Sequence, residues 1–186
     1  VLDVFFISVG GLNFNYFNKI SIITSIFLFH IFPILFSKRF FINELNLKKD
    51  FINFIISILL TLIVFLNFDY NINLSGGGIF LHASNYILNN NLLFFLILPF
   101  AFFFSIKVVN LNIINNLYLF ILLFFITPQY HIFHKYYDPL IIILSFTLFD
   151  FKINKNFFKK INISFLFLFY IIYYFINFVN YYIISF

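Results

Sequence analysis

The sequence predicts an all-α fold, a polytopic bundle of about six transmembrane helices with one short interfacial helix. Hydrophobic residues make up 63% of the 186 residues and charged residues only 9%, whereas soluble domains carry roughly 25% charged residues. The apolar residues form runs separated by short polar segments, as expected of a chain that repeatedly crosses a hydrocarbon layer about 30 Å thick. These observations exclude a water-soluble globule.

We treat residues 1–186 as one integral-membrane helical domain in which six apolar runs span the membrane. The predicted spans cover residues 20–36, 51–68, 92–106, 112–127, 134–150 and 161–184. The fourth and fifth runs have short apolar centres, so either their Asn- and Tyr-rich flanks complete the spans or the segment between them lies below the membrane surface. Residues 79–90 have the pattern of an amphipathic helix lying in the membrane interface.

Basic residues predict the orientation. Nine of the eleven Lys and Arg residues lie in the segments 37–50, 107–116 and 151–160, which are therefore expected to face the cytoplasm. Residues 69–91 and 127–140, together with both ends of the sequence, are then outside. The net charge of +5 is mostly this bias, and it implies contact with anionic membrane lipids rather than with nucleic acid.

The residue types that are missing limit the chemistry. The sequence contains no Cys, which excludes disulfides, thiolate metal sites and thiol nucleophiles. It also contains no Met, even at position 1, so we expect the chain to be the C-terminal fragment of a longer protein. The 36 Phe residues and the many Ile, Asn and Lys residues are typical of an AT-rich genome, and so they do not indicate an aromatic ligand cage.

Residues 127–140, TPQYHIFHKYYDPL, form a polar island between two apolar runs and are the main candidate site. We predict that this island binds the phosphate of a lipid, because it offers a cation and several hydrogen-bond donors at the outer interface. The predicted phosphate-binding residues are Lys135, His131, His134, Tyr136 and Tyr137. The alternative is that the lysine and the tyrosines only anchor a helix end in the headgroup layer.

Asp138 has two interpretations. The Asp138-Pro139 pair fits the N-cap and first position of a helix, and we favour this helix-cap role over that of a site acid. The spacing H-x-x-H-x-x-x-D from His131 to Asp138 also resembles a metal site, but it supplies only three ligands, and we assign no metal.

Two further features have mainly structural interpretations. His30 lies three residues before Pro33 in the first span, and we favour a role in repairing the helix defect at the proline over a ligand role. Ser75 and the three glycines after it predict a hinge or a tight turn. A phosphate-binding loop is excluded because no GK[ST] follows and no strand precedes.

The segments SGGGIFLHASNYILNNN and PQYHIFHKYYDPLI, set between spans, resemble the later transmembrane half of bacterial membrane glycosyltransferases of the GT-C type. The resemblance implies an enzyme of the bacterial inner membrane that transfers a sugar from a polyprenyl-phosphate donor to a glycan or protein acceptor on the outer face. In that family an acidic residue of the first outer loop acts as base or metal ligand, and this sequence has no match to it. The catalytic acid, and any divalent metal, would then belong to residues upstream of Val1. No cofactor is identifiable in the sequence itself.

Two other functions fit the same pattern. A multi-span transporter or flippase without chemistry would use the prolines at 33 and 99, the glycine run and the short spans for alternating access. A structural membrane subunit would use the polar island to bind a partner protein.

Overall fold

The computed structural model of the protein describes residues 15–35, 47–70, 76–126, 132, 134–151 and 160–179. All regular secondary structure within these residues is α-helical, which confirms the predicted all-α class. The seven helices of the described residues are α1 (Tyr16–Leu35), α2 (Leu47–Asn67), α3 (Gly78–Leu88), α4 (Leu92–Leu111), α5 (Ile113–Phe125), α6 (His134–Thr147) and α7 (Lys160–Val179).

Three of these helices, α1, α2 and α4, are long and apolar enough to cross a membrane. Twenty helical residues rise about 30 Å, which matches the hydrocarbon thickness of a bilayer. The helices therefore support the prediction of a membrane protein. The predicted count of six spans is not confirmed, because α5 has 13 residues and α6 has 14, which is about 20 Å of helix each.

The long helices extend beyond the predicted apolar runs. Helix α1 includes Lys19, α2 begins at Leu47 and includes Asp50, and α4 continues past Lys107 to Leu111. A charged side chain interrupts the hydropathy pattern but does not interrupt helical hydrogen bonding. The charged residues thus indicate where a helix leaves the apolar layer, not where the helix ends.

Contacts group the chain into two units, Val1–His30 with Asn46–Phe151, and Ile31–Leu45 with Lys152–Phe186. The boundary lies inside α1, directly after His30. In the second unit, the end of α1 contacts α7 through Phe32 and Phe169, whose ring centroids are 6.2 Å apart. Most of the described side chains of α7 are exposed and apolar, with Tyr173 as a buried exception.

In the first unit, α2 is polar inside and apolar outside. Its buried residues are Asn53, Ser57, Thr61 and Val64, which lie at helical spacing on one face, and the helix packs against α4. Small side chains let two helix backbones approach closely, and the hydroxyls of Ser57 and Thr61 are satisfied by the carbonyls of Phe54 and Ser57. The exposed side carries large apolar residues such as Leu59, Leu62 and Leu66. This inversion is expected of a helix that faces lipid.

Helices α2 and α4 are antiparallel. At one end Lys107 Nζ of α4 lies 3.1 Å from Asp50 Oδ2 of α2. At the opposite end the Phe65 ring, near the end of α2, lies 5.0 Å from the Phe95 ring in the first turn of α4. Helix α1 supplies many of the buried side chains of the first unit, among them Ile22, Ile23, Ile26 and Phe27, and the Phe27 ring packs against Phe120 of α5 at 4.7 Å.

The Asp50 end of the first unit also contains the start of α5 and the end of α6. Asn112 caps α5 by accepting a hydrogen bond from the Asn115 N–H and donates to Asp150 Oδ2 at 3.1 Å. Asn116 is fully buried, and its amide bonds the N–H and the carbonyl of Asp150 and the carbonyl of Val108. Described residues from the first two predicted cytoplasmic segments, and Asp150 beside the third, therefore meet at one end.

Candidate functional site

The glycine run forms a tight turn that leads into α3. Gly76, Gly77 and Gly78 have φ values of 84°, 109° and 75°, a region that side chains rarely adopt. A Cβ at Gly76 would lie 2.6 Å from the Tyr70 hydroxyl and 2.8 Å from the Ile132 carbonyl oxygen. The glycines are therefore required both for the backbone conformation and for close packing.

The glycine turn and Tyr70 are hydrogen-bonded to the main chain of Ile132 in the polar island. The Gly77 N–H donates to the Ile132 carbonyl at 2.9 Å, and the Ile132 N–H donates to the Tyr70 hydroxyl at 3.2 Å. Ile132 itself is completely buried. Both backbone groups of Ile132 are thus hydrogen-bonded by the segment between α2 and α3. Residues 69–91 and the polar island, both predicted to be outside, therefore contact each other at Ile132.

Helix α6 begins at His134, so Asp138 lies in its second turn and Pro139 lies inside the helix. The predicted N-cap role of Asp138 is therefore wrong. Pro139 lacks the N–H that would bond the carbonyl four residues earlier. Membrane helices tolerate this loss because neighbouring groups satisfy the freed carbonyl, and so the Asp-Pro pair did not identify the start of the helix.

Asp138 instead pairs with His30 across the interior of the first unit. His30 Nε2 lies 3.0 Å from Asp138 Oδ1, and the side chains are 0% and 11% exposed. His30 was expected to compensate for Pro33 in its own helix, but its Nε2 bonds α6. Ionisable groups inside apolar segments commonly pair with one another. The sequence did show ionisable residues in two predicted spans, and such residues often pair. It did not show which residues contact each other.

The two tyrosines of the predicted phosphate site have different environments. Tyr136 is 54% exposed, whereas Tyr137 is 1% exposed. Tyr136 can meet a ligand from outside the protein, and Tyr137 packs in the interior. The helical periodicity of α6 separates them, because adjacent helix residues point about 100° apart.

The remaining predicted site residues are only partly covered by the structure. His131 lies outside the described residues. His134 and Lys135 form the start of α6, and their side chains lie outside the described part. Among the described residues, no three His, Cys, Asp or Glu side chains lie close enough together to hold a metal ion. The metal-like spacing from His131 to Asp138 stays a hypothesis.

The apolar helices of the described residues indicate a helical membrane protein. At one end of it, the glycine turn and Tyr70 hold Ile132 of the polar island. No protein-family model matches the chain, and no curated protein or solved structure matches it significantly.

Proposed function

We propose that the protein is part of an integral membrane glycosyltransferase that uses a polyprenyl-phosphate-linked sugar on the outer face of the membrane. The observation that carries this proposal is the attachment of Ile132 to the glycine turn through Gly77 and Tyr70. Ile132, which lies between the two histidines of the island in the sequence and three residues before Lys135, is thereby held against the protein. A binding site for a headgroup needs such bracing, because a loose loop would lose entropy when the ligand orders it.

The phosphate of the lipid is proposed to bind at the start of α6, with Lys135, His131 and His134 as the contacts and Tyr136 at the exposed edge. Lysine supplies a point charge for phosphate, and the N–H groups of a first helical turn favour an anion. Tyr137 supports this segment from the interior, where it is buried.

The proposed topology has six spans in the bacterial inner membrane, with the basic segments 37–50, 107–116 and 151–160 in the cytoplasm. Two observations support it. The Asp50–Lys107 contact joins two segments predicted to be inside, and the Asn112–Asp150 contact brings the end of the fifth predicted span to the same place. The Gly77–Ile132 bond joins the segments predicted to be outside. In this topology α5 and α6 cross with the help of their flanking residues, and α3 lies in the outer interface.

The proposed partners are membrane lipids, a polyprenyl-phosphate sugar and a glycan or protein acceptor. The catalytic acid, and a divalent metal if the reaction uses one, would be supplied by a part of the protein outside this sequence.

A transporter or flippase is the second candidate, and the buried His30–Asp138 pair favours it. Intramembrane His and Asp residues are common in proton relays. The prolines inside α1, α4 and α6 would also allow these helices to bend. The packed glycine turn favours the enzyme instead. A Cβ at any of the three glycines would lie 3.0 Å or less from Tyr70, Leu81 or Ile26, and such close packing opposes hinge motion. A structural subunit would copurify with a partner protein and bind no polyprenyl phosphate.

The test compares Lys135→Ala with Lys48→Ala in the full-length protein reconstituted in lipid nanodiscs. Lys48 is an exposed lysine in the first turn of α2, so the control removes the same charge at another site. Lys135→Ala is expected to weaken polyprenyl-phosphate binding about tenfold and to slow sugar transfer, because it removes one charge-assisted hydrogen bond. Equal binding by both variants would refute the phosphate site, and phosphate binding without sugar transfer would favour the transporter.

A further inference from the structure

The groove between the end of α2 and the start of α4 has features that neither the island nor the proposed transfer reaction uses. It is a cavity of about 280 Å³ lined by Phe65, Phe68, Asn90, Asn91, Leu92 and Phe95. Three phenylalanines and a leucine are its apolar lining residues, and Asn90 and Asn91 are its polar lining residues. The six lining residues carry no charge.

Hydrogen bonding fixes the orientation of the Asn90 amide. The Leu92 N–H donates to Asn90 Oδ1 at 3.0 Å. Because a backbone N–H can only donate, the oxygen of Asn90 must face Leu92 and its NH₂ group must face away. That NH₂ has no acceptor among the residues that the structure describes.

The Asn91 amide is fixed in the same way through Asn85. Asn85 Nδ2 donates to the Leu81 carbonyl at 3.2 Å and to Asn91 Oδ1 at 2.7 Å. The carbonyl of Leu81 can only accept, so Asn85 presents its NH₂ group and Asn91 must present its oxygen. The NH₂ group of Asn91 is then the second donor without an acceptor in the described part of the chain.

Two backbone N–H groups at the start of α4 already have acceptors within the protein. The Leu92 N–H is bound to Asn90, and the Phe94 N–H donates to the Ser84 hydroxyl at 3.2 Å. Ser84 also donates to the Asn90 carbonyl at 2.7 Å. The turn between α3 and α4 is thus held by several hydrogen bonds. The described bonds to the Asn90 and Asn91 side chains use their oxygens and leave their NH₂ groups unused.

We propose that this groove binds the headgroup of one membrane lipid, with phosphate-ester oxygens on the NH₂ groups of Asn90 and Asn91. The two NH₂ groups are donors, so a headgroup rich in acceptors matches them. The cavity is smaller than the roughly 300–1,000 Å³ of a drug-sized pocket and suits a headgroup alone. The lipid chain continues onto the exposed apolar faces of α2 and α4, where Leu66 is 80% and Leu96 is 70% exposed.

Two sources would supply this chemistry, an ordinary phospholipid and a polyprenyl phosphate. The inference does not depend on the proposed function, because it uses none of the residues at 131–137. The absence of charge in the lining also separates the two sites. Lipid binding in the groove should be insensitive to salt, whereas binding that depends on Lys135 should weaken as salt screens it.

The test uses the full chain in nanodiscs with two photoactivatable probes, a phospholipid and a polyprenyl phosphate, each with a diazirine near the headgroup. Asn90→Asp and Asn91→Asp keep the acceptor oxygens for Leu92 and Asn85 but remove the NH₂ donors. Asn89→Asp is the matched control, since Asn89 is exposed, lies outside the groove and has a φ of 51°, which Asp also tolerates.

Labelling is expected at Phe65, Phe68 and Phe95, with about tenfold less in Asn90→Asp and Asn91→Asp than in Asn89→Asp. Unlabelled lipid of the correct class should displace the probe and so identify the source. Labelling that is equal in all three variants, that neither lipid displaces, or that is no stronger in the groove than at Leu59 would overturn the proposal. Unchanged melting temperatures would show that the variants remain folded.

Discussion

His30 Nε2 lies 3.0 Å from Asp138 Oδ1 in the interior of the first unit, although 108 residues separate them in the sequence. The contact ties α1 to the second turn of α6, within the last residues of the polar island. An ionisable group in such a place is tolerated because its partner satisfies it. This pair is a polar link between the island and the buried α1 helix.

Removing one partner of this pair should destabilise the protein strongly. Asp138→Leu is expected to lower the free energy of unfolding by about 3 kcal/mol, because the buried imidazole loses its carboxylate. Thermal unfolding in a mild detergent measures this effect, and His82→Leu, at an exposed histidine, is the control.

The double variant His30→Phe with Asp138→Leu replaces both partners by apolar side chains and should be more stable than Asp138→Leu alone. A double variant whose loss equals the sum of the two single losses would show that the pair is not coupled.

The hydrogen bond from Ile132 to Tyr70 predicts the effect of removing one hydroxyl. Tyr70→Phe leaves the buried Ile132 N–H without this acceptor, which costs about 1–3 kcal/mol. Amide hydrogen exchange at Ile132 should become faster, while exchange in α2 stays unchanged. Tyr86→Phe removes a hydroxyl from a side chain that is 92% exposed and should have no effect. Equal exchange at Ile132 in both variants would contradict the proposed bracing of the island.

Asn116 connects three elements at the opposite end of the first unit. Its amide makes hydrogen bonds of 2.7–3.0 Å with the Val108 carbonyl and both backbone groups of Asp150. Asn116→Leu should lower the free energy of unfolding by about 3 kcal/mol, because these buried groups lose their partner. Asn115→Leu is the matched comparison, since Asn115 is exposed and its amide makes one described side-chain bond, to Leu148. A melting temperature for Asn116→Leu at or above that of Asn115→Leu would refute this role.

The buried face of α2 is mostly polar and its exposed face is apolar, so a larger apolar side chain should destabilise the protein on the buried face and not on the exposed face. Ser57 is fully buried, and Ser57→Leu should cost about 1–3 kcal/mol because a fully buried site leaves no space for the larger side chain. Leu59 is 54% exposed, so Leu59→Phe should change stability little when lipid or detergent covers that face. Similar melting temperatures for the two variants would indicate that α2 does not pack against α4 through this face.

Some of these features could be predicted from the sequence. The helical class and the long spans follow from the apolar runs, and the packing face of α2 follows from Asn53, Ser57 and Thr61 as the polar positions of an apolar segment. The glycine run indicated a tight turn. The distribution of basic residues predicted that residues 69–91 and the island lie on the same side of the membrane, and the Gly77–Ile132 hydrogen bond agrees with this grouping.

Other features required the structure because they depend on contacts between distant residues. His30 could not be matched to Asp138 by spacing, and the helix start at His134 was hidden by the Asp138-Pro139 pair, which fits a cap as well as a helix interior. The groove at Asn90 and Asn91 depends on which amide atom faces which neighbour. Such an orientation follows from a hydrogen-bond network and not from residue type.

The topology of the first unit is the central claim, and single-cysteine labelling tests it most directly. The chain contains no cysteine, so Tyr86→Cys on α3 and Leu47→Cys at the start of α2 are each the single thiol in this sequence. Both positions are highly exposed, at 92% and 80%. A membrane-impermeant thiol reagent applied to intact cells should label Tyr86→Cys, and Leu47→Cys only after permeabilisation. Labelling of Leu47→Cys in intact cells with protection of Tyr86→Cys would contradict the orientation, and labelling of both would contradict a membrane between them.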